Sequence, residues 1–339
     1  MAKKRIFSIF EYLFFLAIGV LLLWLSFRKL DMHEIWIDIQ EAEYSWLVIA
    51  LFFAILSHII RALRWNLLIN SLGYKTRLSS TFFAVMIGYL ANTAVPRMGE
   101  FVRCGVLSKK EKIPFNSLFG TVISERLFDM ISLLVIIFLV IVFQMELVGD
   151  LLQRMFRPIL EAVFSNVWTI TFFLVGTLVF LLLLIWIVWK SKEWVKSLSF
   201  YQKLHDFLIG LWEGIISIGK MRQKGLFLLY TVAIWFFYGI MVYMPVLMLS
   251  ETSHLTFIDG LTILAIGSLG IVAPVPGGIG AYHFIVKNIL VELYNIGPNA
   301  AGSFAAITHA GQTILNVVIG GLSYLGMGVL SRKQKPKNE

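Results

Sequence analysis

Long apolar runs alternate with short polar connections along the whole chain. Six runs reach or exceed the roughly 20 residues that a helix needs to cross a hydrocarbon core: 6–27, 46–69, 115–143, 167–189, 226–249 and 302–330. Two further apolar stretches, 79–107 and 260–290, are broken by helix-disrupting residues. The first contains Asn92-Thr-Ala-Val-Pro-Arg-Met-Gly-Glu-Phe-Val-Arg103, and the second contains Ala273-Pro-Val-Pro-Gly-Gly-Ile-Gly-Ala-Tyr-His283. Proline removes a backbone donor and glycine admits conformations closed to other residues, so each stretch predicts two short helices around a turn. Broken backbone survives at membrane depth only where protein or a water-filled cavity satisfies it.

Basic residues orient these elements, because Lys and Arg concentrate in cytoplasmic connections. Lys3, Lys4 and Arg5 place the N-terminus inside, and the acidic segment 31–43 suits the outside. Lys75 and Arg77 return the chain to the inside, yet Lys109, Lys110 and Lys112 require the same side. Both hold if 79–107 enters and returns as a re-entrant hairpin turning near Pro96. Carried onward, the count makes 260–290 a hairpin from the outside and leaves the C-terminal Arg332, Lys333, Lys335 and Lys337 in the cytoplasm. Two full crossings in place of the hairpins would put Lys109–Lys112 on the wrong face. The predicted fold is an all-α polytopic membrane protein with about six full spans plus two Pro/Gly-broken hairpins.

The layout implies an inverted repeat, one copy over about 6–143 and the other over about 167–330, within a single transmembrane domain spanning 1–339. Ile87-Gly-Tyr-Leu90 before Val95-Pro96 resembles Ile266-Gly-Ser-Leu269 before Val275-Pro276, and Ile123-Ser-Glu125 resembles Ile307-Thr-His309. Segment 200–224, with one apolar side and flanking lysines, predicts a cytoplasmic amphipathic helix.

Composition agrees with this reading: 58% of the 339 residues are hydrophobic and 14% charged, against about 25% charged in soluble domains. The formal net charge of +9 is spread over several connections, which suits anionic lipid headgroups rather than nucleic acid. The single cysteine, Cys104, rules out an internal disulfide. No Walker, GxSxG or HExxH pattern occurs, so neither a cofactor nor a metal is expected. The N-terminal run lacks a small-residue cleavage site and reads as a retained anchor.

Charged residues inside apolar runs mark function or internal pairing. His58, Arg61 and Arg64 share one helical face. They either reach back to headgroups or form a phosphate site. Glu125 and Asp129 also share a face, with Arg126 three residues before Asp129. This group either carries protons or locks its helix to the hairpin that holds Arg97, Glu100 and Arg103. The glycines at 277, 278 and 280 suit a tight turn whose free amides receive an anion, or simply flexible packing. His309, Gln312 and Asn316 form a polar stripe on the last span.

Taken together, Asn92-x3-Pro96-Arg97-x-Gly99-Glu100-x2-Arg103, Glu125-Arg126-x2-Asp129 and Pro276-Gly-Gly-x-Gly280 resemble the lysylphosphatidylglycerol synthase transmembrane-region family, over nearly the whole chain. The resemblance implies a flippase-like membrane part without the soluble synthase domain of the bifunctional members. The expected activity is movement of an anionic or polyprenyl-type lipid between leaflets of the cytoplasmic membrane. On this expectation Arg97, Arg103, Arg61 and Arg64 hold the lipid phosphate, while Glu100, Glu125, Arg126 and Asp129 balance charge or exchange a proton. Asn92, Pro96, Gly99, Pro276, Gly277, Gly278, Gly280, His283, His309 and Gln312 shape the hairpins and cavity. The alternatives are a membrane-embedded enzyme acting on a lipid phosphate and a non-transporting assembly factor.

Overall fold

The computed structural model describes residues 2–147, 167–190, 221–270 and 275–332, with isolated positions 149, 153, 157, 158 and 161. Most of the expected amphipathic segment 200–224 lies outside the described residues. The chain divides into two compact units, Met1–Val140 with Ser217–Glu339, and Ile141–Ile216. Described in the second unit is the helix we call α7 (Val167–Lys190), uncharged up to Lys190.

The first unit carries α1 (Ala2–Phe27), α2 (Met32–Glu41), α3 (Tyr44–Ser71), α4 (Leu78–Ala94), α5 (Gly99–Glu111) and α6 (Phe115–Phe143). After α7 follow α8 (Lys224–Tyr243), α9 (Phe257–Gly270), α10 (Ala281–Tyr294) and α11 (Pro298–Arg332). No strand occurs among the described residues. Four helical segments are long and apolar enough to cross a membrane: α3, α6, α8 with its 3-10 extension to Met248, and α11. The pair α1–α2 makes a fifth if it is one broken span, and it bends by 89°.

That bend is a departure from the sequence reading, which took the acidic segment 31–43 as a connection. Asp31 caps α2 by accepting the His33 amide at 2.8 Å, the usual role of an N-terminal aspartate. Ten residues give too few periods to register against the long runs beside them. On α2, Glu34 accepts from the Asn299 side-chain amide and Asp38 accepts from Ser303 Oγ at 2.6 Å, fastening it to α11.

The scaffold for the site is the antiparallel pair α3 and α8. Arg64 reaches Thr231, Arg61 reaches Tyr238, and the Glu43 amide donates to the Met248 carbonyl at 3.0 Å. The start of α3 therefore lies beside the end of α8. The α4–α5 hairpin leaves from the far end of α3, and the α9–α10 hairpin leaves from the end of α8, so the two enter from opposite ends of this pair.

Both broken stretches fold back as hairpins. In the first, Pro96 ends α4 and Arg97 takes a left-handed conformation (φ 60°), after which the Gly99 amide donates to Asn92 Oδ1 at 2.7 Å. A Cβ on Gly99 would run into the Gly88 carbonyl and the Asn92 amide, so these two arms touch backbone to backbone. In the second, a 3-10 turn at Pro276–Gly278 precedes α10. Gly277, Gly278 and Gly280 all have positive φ, and at Gly280 a Cβ would collide with the Gly19 carbonyl of α1. The tips meet: a Cβ on Gly277 would lie 3.5 Å from the Thr93 carbonyl oxygen.

Candidate functional site

Spacing of three along α3 puts His58, Arg61 and Arg64 on one face, and all three are buried. The alternative in which these arginines reach lipid headgroups therefore does not hold. Arg64 Nη2 lies 2.7 Å from Asp129 Oδ1 and 3.1 Å from Glu125 Oε1. Arg61 Nη1 lies 3.1 Å from Asp129 Oδ2. Spacing of four along α6 puts both carboxylates on one face, and that face meets the arginines of α3, a partner the sequence reading does not assign.

From α5, Arg103 Nη2 donates to Glu125 Oε2 at 2.7 Å and its guanidinium stacks 4.8 Å from the Trp65 ring. Arg126 joins Asp129 at 3.4 Å and also pairs with Glu100 of α5. Of these groups Arg126 is the most exposed, its side chain retaining 45% of its accessibility. The network thus contains four guanidiniums and three carboxylates, an excess of one positive charge. Burial of ionic groups is tolerable only when each is paired and hydrogen-bonded, and here α3, α5 and α6 all contribute to that pairing.

A narrow cleft of about 10 Å³, room for about one water, lies beside the network, lined by Arg61, Val85, Gly88, Tyr89, Asn92, Gly99, Glu100, Arg103 and Arg126. Arg61 Nε, Arg64 Nε and Arg103 Nε have no hydrogen-bond acceptor among the described residues. Two of these three arginines line the cleft. Cationic N–H donors in a fixed fork geometry match the oxygens of phosphate or carboxylate. Arg97 sits at the hairpin turn with an exposed side chain and does not line the cleft.

On the second hairpin, the Gly277 carbonyl accepts from His309 Nε2 at 3.0 Å, and His283 Nδ1 accepts from the Gly280 amide at 3.4 Å. The Gly278 amide is taken by the Val275 carbonyl at 3.2 Å. Two of the glycine amides expected to receive an anion are therefore used within the protein. The imidazoles of His283 and His309 lie 4.7 Å apart, and Pro276 is buried. Gln312 is half-buried on α11. No group of three or more metal-ligating side chains occurs among the described residues.

Sequence reasoning missed Tyr89, Tyr238, Thr231 and Trp65, which complete the surroundings of the arginines. Within apolar runs, one hydroxyl or indole carries no signal until the neighbouring helix is known.

Comparison with known proteins places the chain in a family. A UPF0104 membrane protein of Methanocaldococcus jannaschii is 24% identical over 98% of this chain and 96% of its own length. The glycosyltransferase AglD of Haloferax volcanii is 23% identical over 93% of this chain, which spans about half (54%) of that relative. No solved structure matches. The profile of the lysylphosphatidylglycerol synthase TM region matches residues 12–320, and with that coverage the chain belongs to this family of multi-pass membrane proteins.

Proposed function

We propose that the protein is a lipid flippase, moving a lipid with an anionic phosphate between leaflets of the cytoplasmic membrane. The observation that carries this reading is the cleft beside a buried network with surplus positive charge, lined by Arg61 and Arg103, each of which has a buried Nε without an acceptor among the described residues. A phosphate entering there neutralises the excess and supplies the missing acceptors. The hairpins enter from opposite ends and touch at Thr93 and Gly277, the geometry by which broken helices gate alternating access. Lipid is the partner, both termini face the cytoplasm, and no chemical conversion is involved.

The test is translocation of fluorescent phosphatidylglycerol in proteoliposomes, read by quenching from outside. Arg126→Ala, which removes a partly exposed cleft cation, and Arg103→Gln, which removes a second cleft-lining guanidinium, are each expected to slow translocation at least ten-fold while the protein stays folded. Unchanged rates in both variants would refute the assignment.

A second reading is favoured by one observation, the resemblance to a relative named a glycosyltransferase. In it, the membrane part presents a lipid phosphate to an enzyme or acts on it directly. Mass spectrometry of lipids incubated with the purified protein separates the two, since only an enzyme leaves a new lipid.

A further inference from the structure

His58 is 2% exposed, and neither of its ring nitrogens has a hydrogen-bond partner among the described residues. A position that only needed filling would be served better by an apolar side chain, because unsatisfied buried polar atoms are costly. One turn along α3 stands Arg61, whose Nε is likewise unpartnered. The ring of Tyr89 packs on His58 with centroids 4.4 Å apart. Tyr89 lines the cleft and His58, in contact with its ring, does not. The Tyr89 hydroxyl is 3.5 Å from that of Tyr238, too long for a good O–H···O bond.

We infer that His58, reached when the Tyr89 ring turns aside, recognises the third free oxygen of a terminal phosphoryl group. The inference rests on the phosphate-binding reading of the cleft and narrows it to a class of headgroup. A phosphodiester has two free oxygens, which paired guanidinium donors saturate. A phosphomonoester has a third, and near neutral pH it exists partly as the monoanion with a P–OH. Neutral imidazole offers one N–H donor and one bare nitrogen acceptor, so it can pair with that oxygen in either protonation state. The surplus positive charge of the neighbouring network favours the added negative charge over a neutral group.

The test uses the purified full chain in detergent, with binding measured by native mass spectrometry against dioleoyl phosphatidic acid and dioleoyl phosphatidylglycerol. The unaltered protein is expected to prefer phosphatidic acid about ten-fold, the scale of one charge-assisted hydrogen bond. His58→Phe should bring that preference close to one while leaving phosphatidylglycerol binding within about two-fold, and His58→Gln, which keeps a donor and an acceptor, should retain part of it. If the Phe variant does not fold, His58→Met carries the same expectation. A preference unchanged by these substitutions overturns the role of His58 and leaves the cleft reading intact. Failure of the unaltered protein to bind either lipid overturns both. Inorganic phosphate distinguishes the source: displacement of phosphatidic acid at equal concentration would assign the site to soluble phosphate and remove the lipid from the inference.

Discussion

Arg103 on α5 and Glu125 on α6 meet at 2.7 Å with both side chains almost wholly out of solvent. The pair ties the returning arm of the first hairpin to the span that follows it. On the second hairpin, α10 meets α11 through the tilted rings of His283 and His309, 4.7 Å apart. The two hairpins thus differ in charge, and the Arg–carboxylate network described above involves the first of them.

The surplus of one positive charge predicts an asymmetry. Glu125→Gln leaves Arg61, Arg64 and Arg103 competing for fewer carboxylates, and it is expected to destabilise by about 3–5 kcal/mol, as when one partner of a buried pair is removed. Arg103→Gln brings the network to balance and should cost less. Thermal unfolding of the two variants in detergent checks the order, and equal losses would contradict the charge count.

Contact between the hairpin tips predicts a cross-link. With Cys104 replaced by alanine, Thr93→Cys and Gly277→Cys place two thiols on adjoining backbone, since a Cβ on Gly277 would lie 3.6 Å from the Thr93 Cα. Oxidation should join the two positions and arrest lipid translocation, and reduction should restore it. Cross-linking with undiminished translocation would show that the tips need not part.

Cys104 is fully buried within the first hairpin, packed with Ala84, Val85 and Leu107, and serves as an internal reporter. Its thiol should resist maleimide in the unaltered protein. Gly99→Leu inserts a side chain where even a Cβ strikes the Gly88 carbonyl, and overpacking typically costs about 1–3 kcal/mol. Labelling of Cys104 is expected to quicken in that variant. Unaltered labelling would mean that the arms separate without exposing the core between them.

Orientation gives a fourth expectation. Lys75 and Lys112 are exposed at the open end of the first hairpin, whereas Ser253 is exposed at the opposite end of the α3–α8 pair. Single cysteines at 75 and 112 should react with an impermeant maleimide only from the cytoplasmic side, and one at 253 only from outside. A cysteine at 75 and one at 112 labelled from opposite sides would mean that residues 79–107 cross the membrane.

Local chemistry made much of this molecule readable in advance. Hydropathy and helix-breaking residues act within a few turns of chain, so the apolar runs, the two breaks and the doubled polar faces of α3 and α6 were legible in order. The α2 helix was not, because ten residues beside a sharp bend have little periodicity of their own. Nor could spacing decide whether Arg61 and Arg64 extend to headgroups or turn inward, since one face serves both outcomes. That choice was made by Asp129 and Glu125, more than sixty residues away, and by the burial that makes pairing obligatory. Likewise the amides of Gly278 and Gly280 looked available in sequence, and only the folded turn, with Val275 and His283 beside them, took them up. Chain-local preference determined which segments are helical and where they break; long-range packing determined which charges are satisfied, and therefore where a cleft with unmet donors remains.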